Sequence, residues 1–453
     1  MSERGYMASP IRQRLTVEGI CAGLIAWVAW DWGSAAFNVV ISFVFSPYLA
    51  GAVAADETTG SAALGWATAI AGLIIAAIAP VWGQRSDATG GASSRQRRLG
   101  ALTAVVALVT AALALVRPHP SFLLLGLVLL AGGQVASQLA EVDHNALLRG
   151  VAPDGATGRV SGLGTAALHL GAVVVLLLAY TGLIAPQAGW FGITHAQGAA
   201  VRAVAVLCAV WFALFALPIV FARLPASVPV DPVPVRRASG WIMAYRQLWR
   251  DLVQLRRHRP HLLGFLVASA LFRDGLAAVF VFFPILAHGS FGLGPADLLI
   301  LGIAIMAVGA VGAVVGGILD DRLGPKVIIV GSLTGVIVAL TMILVIHAQW
   351  ALWVCALAAS AFIGPTMSAS RSYLARAAPP QQQGQLFGLY ACTGRVVSFV
   401  APAAFALGVS ILGGQRWGML GITVVLLAGF LAFLPVRAVD HAGVSPHTEE
   451  VAA

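Results

Sequence analysis

The sequence predicts an all-α membrane protein with twelve transmembrane helices in two pseudo-symmetric six-helix bundles. Three observations predict it. Hydrophobic residues make up 59% of the chain and charged residues only 10%, with a mean hydropathy of +0.90. A soluble domain carries roughly 25% charged residues, so this chain lacks the polar surface to dissolve. Apolar runs of roughly 18 residues or more, long enough to cross a bilayer, occur about twelve times. Finally, a short motif recurs at half the chain length. Gly83-Gln84-Arg85-Ser86-Asp87-Ala88-Thr89-Gly90 returns 234 positions later as Gly317-Ile318-Leu319-Asp320-Asp321-Arg322-Leu323-Gly324.

Taken in order, the runs cover roughly 17–48, 61–82, 99–117, 121–148, 158–184 and 199–221, then 261–288, 295–319, 326–348, 350–376, 384–411 and 414–436. The first follows Arg4, Arg12 and Arg14 and continues from Gly19 to Ala50. A cleaved signal h-region is only ~7–15 residues, so this run reads as an uncleaved first helix. Residues 1–221 then form the first bundle, 222–260 a cytoplasmic linker, 261–436 the second bundle and 437–453 a disordered cytoplasmic tail. The linker opens with a proline-rich spacer from Pro225 to Pro234. In it Trp241, Tyr245, Leu248, Leu252 and Leu255 recur at helical spacing, with Arg246, Arg250, Arg256 and Arg257 at other positions. That pattern is an amphipathic helix for an anionic membrane surface, with a partner-binding helix as the alternative.

Arginine fixes the expected orientation. With both termini and every even-to-odd gap on one side, that side holds 22 of the 27 Lys and Arg residues. The positive-inside rule makes it cytoplasmic. The +9 net charge is thus spent on topology. No gap combines a basic cluster with stacked aromatics on a foldable soluble module, which argues against nucleic acid. Cys21, Cys208, Cys355 and Cys392 lie in or beside apolar runs without CxxC spacing, so neither a disulfide framework nor a metal site is expected.

Ionisable residues inside the runs are the functional candidates, because each costs roughly 2.5–3.5 kcal/mol at a helix centre unless partnered or hydrated. The first helix carries Asp31, Ser34, Asn38 and Ser42 on one face, with Trp27, Trp30 and Trp32 at its inner end. This stripe either lines a cavity or hydrogen-bonds to another helix. The fourth helix repeats the pattern with Gln134, Gln138, Glu141 and Asn145, and adds Asp143 and His144. Those acids and the imidazole either hold a proton or pair with loop arginines. The corresponding positions of the tenth helix are Ser360, Gly364, Met367 and Arg371. In the seventh helix, adjacent Arg273 and Asp274 point about 100° apart, so they take different partners. Arg273 is expected to meet Asp31 or Glu141 across the bundle. Arg395 stands in the eleventh helix beside Thr393 and Ser398, and His169 in the fifth reads as a packed, hydrogen-bonded histidine.

The motif Gly317-x-x-x-Asp321-Arg322-x-Gly324-x-Lys326 resembles the cytoplasmic loop motif of the major facilitator superfamily. The first copy keeps Gly83, Asp87 and Gly90 but has Ala88 in the basic position. A narrower resemblance is to its Atg22-like subfamily. It rests on Trp30-Asp31-Trp32-Gly33-Ser34-Ala35-Ala36-Phe37 followed by Phe43-Val44-Phe45, with further likeness at Asn145–Leu148, Gly158–Gly164, Asp274-Gly275, Ser370–Ser372 and Phe387–Tyr390. Ser34 and Ala35 stand where that subfamily usually has Asn and Ser.

The resemblance implies the facilitator fold, with the first, fourth, seventh and tenth helices around a central cavity, and suggests amino-acid efflux. The expected function is a secondary active transporter of the cytoplasmic membrane. It moves a small polar or zwitterionic solute by alternating access, with possible proton coupling through Asp31, Glu141 or Asp274. A carboxylate would dock on Arg273 or Arg395 and an ammonium on Asp31 or Asp274. Trp30, Ser34, Asn38, Gln134, Gln138 and Ser360 complete the expected site, and Asp87, Asp321, Arg322 and Lys326 the expected gate. No cofactor or metal is expected, and the chain is expected to act as a monomer in the lipid bilayer. A hydrophobic-drug exporter and a non-transporting sensor or scaffold remain the alternatives. The absence of GxSxG, HExxH and Walker motifs argues against an enzyme.

Overall fold

The computed structural model describes residues 10–89, 92–151, 157–222, 241–377 and 383–438. Within them twelve helices are long and apolar enough to cross a membrane. They are α1 (Pro10–Val39), α2 (Glu57–Thr89), α3 (Ala92–Ala112), α4 (Leu123–Val151), α5 (Thr157–Ala179) and α6 (Ala199–Phe221), then α7 (Pro260–Phe291), α8 (Pro295–Leu323), α9 (Pro325–Val345), α10 (Gln349–Ala377), α11 (Gln383–Val397 and Val400–Leu412) and α12 (Gln415–Phe433). A separate linker helix covers Trp241–His258. The expected tail beyond residue 438 and the proline-rich spacer at 223–240 lie outside the described residues.

Local chemistry sets the helix ends. Pro260, Pro295 and Pro325 open α7, α8 and α9, where a missing N–H costs nothing. Gly292 and Gly413 close α7 and α11 at φ of 69° and 71°, in the left-handed region that favours glycine. Asp56 caps α2 by accepting from the Thr59 N–H (2.8 Å) and hydroxyl (2.7 Å). Those donors hold its carboxyl below the usual carboxylate value.

Two helices depart from regularity. α1 continues to Val53 through π-helical turns at Val40–Phe45 and Leu49–Val53 on either side of Pro47. Proline cannot donate to the carbonyl four residues back, and the wider turn accommodates the gap. The run read from the sequence as one eleventh helix is broken at Ser398–Phe399. Pro402 sits just inside the second segment and has no N–H for the Ser398 carbonyl.

Helix pairing repeats with a period of six. α1 packs on α5 and α6, α2 on α4, and α3 on α4 and α6. α7 likewise packs on α11 and α12, α8 on α10, and α9 on α10 and α12. The two sets meet mainly through α2 against α11 and α5 against α8, again a six-related pair. Gly72 permits the α2–α11 approach, since a Cβ there would lie 2.7 Å from the Ser398 carbonyl oxygen.

The sets are joined at one end and apart at the other. One large apolar core runs from Ala35–Val53 of α1 into α7 through α12. At that end the Phe43 and Phe280 rings meet edge-on at 5.5 Å, and the Gln415 amide bonds to Ser61 (3.1 Å). A smaller core of Trp27, Trp30, Leu99, Leu147 and Phe212, among others, belongs to the first six helices alone. It lies toward the end where α1 begins and α4 finishes.

The linker helix also touches both sets. Leu252 and Leu255 pack against the large core. The Tyr245 hydroxyl lies 2.8 Å from the carbonyl oxygens of both Ala76 and Ala77 in α2. Pro80 explains the first of these, because it leaves the Ala76 carbonyl without its helical donor. So the apolar stripe expected to face lipid is partly docked on the bundle. Trp249 (69% exposed), Arg246 and Arg250 face outward.

Candidate functional site

A polar cavity of about 300 Å³ lies between the two sets at the separated end. α1 contributes Trp27, Trp30, Asp31, Ser34 and Asn38. α4 contributes Ser137, Gln138, Glu141 and Asn145. Thr165 and Leu168 come from α5, and Arg371 from α10. The helical periods of α1 and α4 that read as polar stripes converge on this one space.

The arrangement behind Asp31 is built tightly. The His144 ring is stacked between Trp27 (centroids 4.4 Å) and Trp30 (4.2 Å). Trp27 donates its indole N–H to the His144 carbonyl (3.0 Å), and Trp30 donates to the Thr103 hydroxyl (3.0 Å). His144 Nε2 bonds to the Trp27 carbonyl oxygen (3.1 Å) and Nδ1 faces Asp31 Oδ1 at 3.7 Å. The His144 side chain is 1% exposed and that of Asp31 15%, so the acid reaches the cavity and the imidazole does not. Gly164 of α5 makes room, since a Cβ there would collide with the Asp31 carboxylate and the Trp27 indole. The polar tip of Ser34 turns back to the Asp31 carbonyl (2.9 Å).

Charge is divided between the sets. Asp31 and Glu141 come from the first, Arg371 and Arg395 from the second. Arg395 Nη1 donates to the Gln138 carbonyl (3.0 Å) and side-chain oxygen (2.8 Å), and its Nη2 lies 3.7 Å from Glu141 Oε2. This is a direct tie between α11 and α4 across the two sets. Asp143, adjacent to His144, points the opposite way. It is buried against Arg98 (3.0 Å), with the Trp82 indole N–H at 3.1 Å. Of the two readings open for the acids of α4, Asp143 therefore takes the ion pair, and Glu141 faces the cavity.

Several expected site residues are placed elsewhere. Asp274 is not on the cavity wall. Its Oδ2 accepts the Ala401 N–H at 2.7 Å, because the break in α11 frees backbone donors there. Arg273 does not meet Asp31 or Glu141. It lies over the Tyr390 ring (3.8 Å) and donates to the Tyr390 carbonyl (3.0 Å). Ser360 donates to the Ile305 carbonyl (2.6 Å), which joins α10 to α8, and Gln134 is a turn away from the lining.

Two of the residues expected at the gate, Asp321 and Lys326, make contacts within the second set. Arg376 of α10 lies 3.4 Å from both Asp320 and Asp321, and Lys326 donates to the Leu434 carbonyl (3.1 Å). Asp321 is largely exposed, whereas its neighbour Asp320 is buried. Arg322 is exposed at the end of α8, and the side chain of Asp87 lies outside those described. Thr165 and Ser137 were not singled out from the sequence. Neither belongs to a charged or long polar stripe, and only the packing of α5 against α1 brings Thr165 to the cavity.

The sequence profile described as "Vacuole effluxer Atg22 like" matches residues 150–442. An MFS-type transporter of Bacillus subtilis, YxiO, is 24% identical over 424 residues, covering 90% of this chain and 94% of that protein. Autophagy-related protein 22 of Cryptococcus neoformans is 25% identical over 288 residues, 60% of this chain and 51% of that protein, so the chain spans about half of the fungal relative. Among solved structures, a D-xylose-proton symporter superposes with a TM-score of 0.68 at 14% identity, over 94% of this chain and 99% of that one. A bacterial homologue of the lysosomal transporter Spinster, in an inward-facing occupied state, gives 0.62 at 14% identity over 94% and 97%. At such identities these two show the fold alone. With its twelve membrane helices, six-fold pairing and central polar cavity, the chain belongs to the Atg22-like family of major facilitator superfamily transporters.

Proposed function

We propose that this transporter moves a small zwitterionic solute of amino-acid type across the cytoplasmic membrane by alternating access. The observation that carries the reading is the division of charge around the cavity. Acids come from the first six helices and guanidinium groups from the second six. A ligand bearing both an ammonium and a carboxylate would bridge the sets, with Asp31 or Glu141 holding the first and Arg371 or Arg395 the second. Bidentate guanidinium–carboxylate contacts suit that role. Binding would then be coupled to the relative position of the sets, as alternating access requires.

Cavity size and lining support the same class. About 300 Å³ is at the small end of ligand pockets. A hydrophobic-drug exporter would call for an apolar wall, whereas nine of the twelve lining residues, all but Trp27, Trp30 and Leu168, carry a polar or charged side chain. The arginine distribution supports cytoplasmic termini, and in that orientation the cavity would open to the cytoplasmic side. Asp31 and Glu141 are the acids a proton can reach from there.

The test is a thermal-shift screen of the purified full chain against the common amino acids, short peptides and cationic drugs. A ligand at 100 times its Kd stabilises the folded state by about 2.7 kcal/mol. Stabilisation by zwitterions that is lost on Arg371→Gln is the expected result. Stabilisation by apolar cations alone would replace this reading with the drug-exporter one. No response to any compound, together with no uptake into vesicles, would favour a sensor.

A further inference from the structure

We infer that Asp31 and His144 form a single proton-binding site, in which one proton drawn from the cavity is held between Asp31 Oδ1 and His144 Nδ1. This deepens the transport reading, since it supplies a coupling-ion site beside the cavity.

The argument starts from hydrogen-bond valence. His144 Nε2 lies 3.1 Å from the Trp27 carbonyl oxygen, which has no proton to give. Nε2 must therefore carry the hydrogen, and the Nδ1 of a neutral ring is a bare lone pair. That Nδ1 is buried without a hydrogen-bond partner. It faces a carboxylate oxygen at 3.7 Å. Two acceptors facing each other have nothing to share, which accounts for a separation beyond hydrogen-bond reach. Adding one proton converts the pair into donor and acceptor and lets them close to roughly 2.8 Å. No other bond changes. The proton arrives as hydronium through the cavity and leaves a water molecule behind, and the net charge of the pair goes from −1 to zero.

The surroundings favour this role. The imidazole cannot swing away, because Trp27 and Trp30 cover both faces and each indole is itself hydrogen-bonded. Indole faces also attract a cation, so a proton resting on the ring is stabilised there. Asp31 is the entry point, since it borders the cavity while His144 does not.

Among the described residues, the other charged groups near the pair are few. Glu141 of α4 is half-exposed in the same cavity. Arg371 of α10 lines the facing wall, and Arg395 of α11 is tied to Glu141 and Gln138. Arg273 of α7 has Glu141, Arg371 and Arg395 as charged neighbours. Asp143 is turned to Arg98 of α3. α5 and α6 present Gly164, Thr165 and Phe212, none of which titrates. The proton on this pair is therefore balanced mainly against Glu141 and the arginines of the second set.

The test is nitrogen NMR of the full-length protein labelled with 15N-histidine, in lipid nanodiscs, titrated with pH alone and with no solute added. The chain has 10 histidines. His144 is recognised by the ring-current displacement from two stacked indoles and, independently, by loss of its signal in His144→Gln. The expected result at high pH is an Nε2–H tautomer with an unprotonated Nδ1. Lowering the pH should bring Nδ1 into a hydrogen bond, with a midpoint that Asp31→Asn moves by at least one pH unit.

An Nδ1–H tautomer throughout, or a midpoint indifferent to Asp31→Asn, would overturn the proposal. If His144→Gln does not fold, the ring-current assignment and the Asp31→Asn comparison still decide it. Because no solute is used, this outcome is independent of the thermal-shift screen. A wrong substrate class would leave the proton site standing, and the reverse.

Discussion

Asp274 provides the sharpest test of the structure, because sequence and geometry give it different roles. As a lone acid in a membrane helix it reads as a substrate or proton group. In the fold it caps the second segment of α11, accepting the Ala401 N–H at 2.7 Å, with a further backbone bond from Val400. The carboxylate is buried. Hydrogen bonds to a charged group contribute about 1.5–3 kcal/mol each, and a buried donor left without an acceptor costs about 1–3 kcal/mol. Asp274→Asn keeps an acceptor oxygen and loses only the charge assistance, so a cost of about 1 kcal/mol is expected. Asp274→Leu strands both backbone donors and is expected to cost about 2–6 kcal/mol. The measurement is thermal unfolding in detergent, paired with solute uptake into proteoliposomes. Asp274→Asn should melt slightly lower and still transport with unchanged pH dependence, and Asp274→Leu should melt far lower. A variant Asp274→Asn with wild-type stability and abolished transport would refute the capping role and restore the reading of this acid as a substrate or proton group.

Three other outcomes follow from particular contacts. Gly164→Ala should lower transport more than stability, because its methyl group pushes on the Asp31 carboxylate at the cavity as well as on Trp27; equal loss in both would mean the site is merely crowded. Arg98→Gln takes the guanidinium away from the buried Asp143 carboxylate and should lower the melting temperature, and the double variant Arg98→Leu with Asp143→Leu should recover much of the loss in the same melt. Tyr245→Phe removes the hydroxyl that reaches the Ala76 and Ala77 carbonyls beside Pro80, so hydrogen–deuterium exchange of the linker helix should rise by several-fold while that of α4 stays fixed.

Much of the membrane architecture is legible in the chain because lipid leaves so few choices. A run of twenty apolar residues must satisfy its own backbone, and only a helix does so within one segment. The positions of Asp31, Ser34 and Asn38, and of Gln138, Glu141 and Asn145, at helical spacing likewise led to one cavity. Arg273 and Asp274 lie off the cavity wall for an identifiable reason. Hydropathy marks a charged residue in a helix as costly, but it does not say whether the compensation is water, a partner side chain or a neighbouring backbone. For Asp274 the compensation is the break in α11, created by Pro402 more than a hundred residues away. For Arg273 it is the face of Tyr390.

His144 illustrates the converse case. Its place at the inner end of α4 was visible, as were Trp27 and Trp30 on α1. That the three rings stack in one column, with Nδ1 turned to Asp31, depends on how α1 and α4 cross.

The sequence by itself thus determined the helices, their number and the faces that carry polar groups, because periodicity along one chain is a local property set by the helix and the bilayer. The loop motif that recurs 234 positions later pointed to the doubling of the pattern. Only the tertiary structure decided which polar groups are spent on packing and which remain open to the cavity. That choice depends on what another helix, distant in the chain, presents at hydrogen-bond distance.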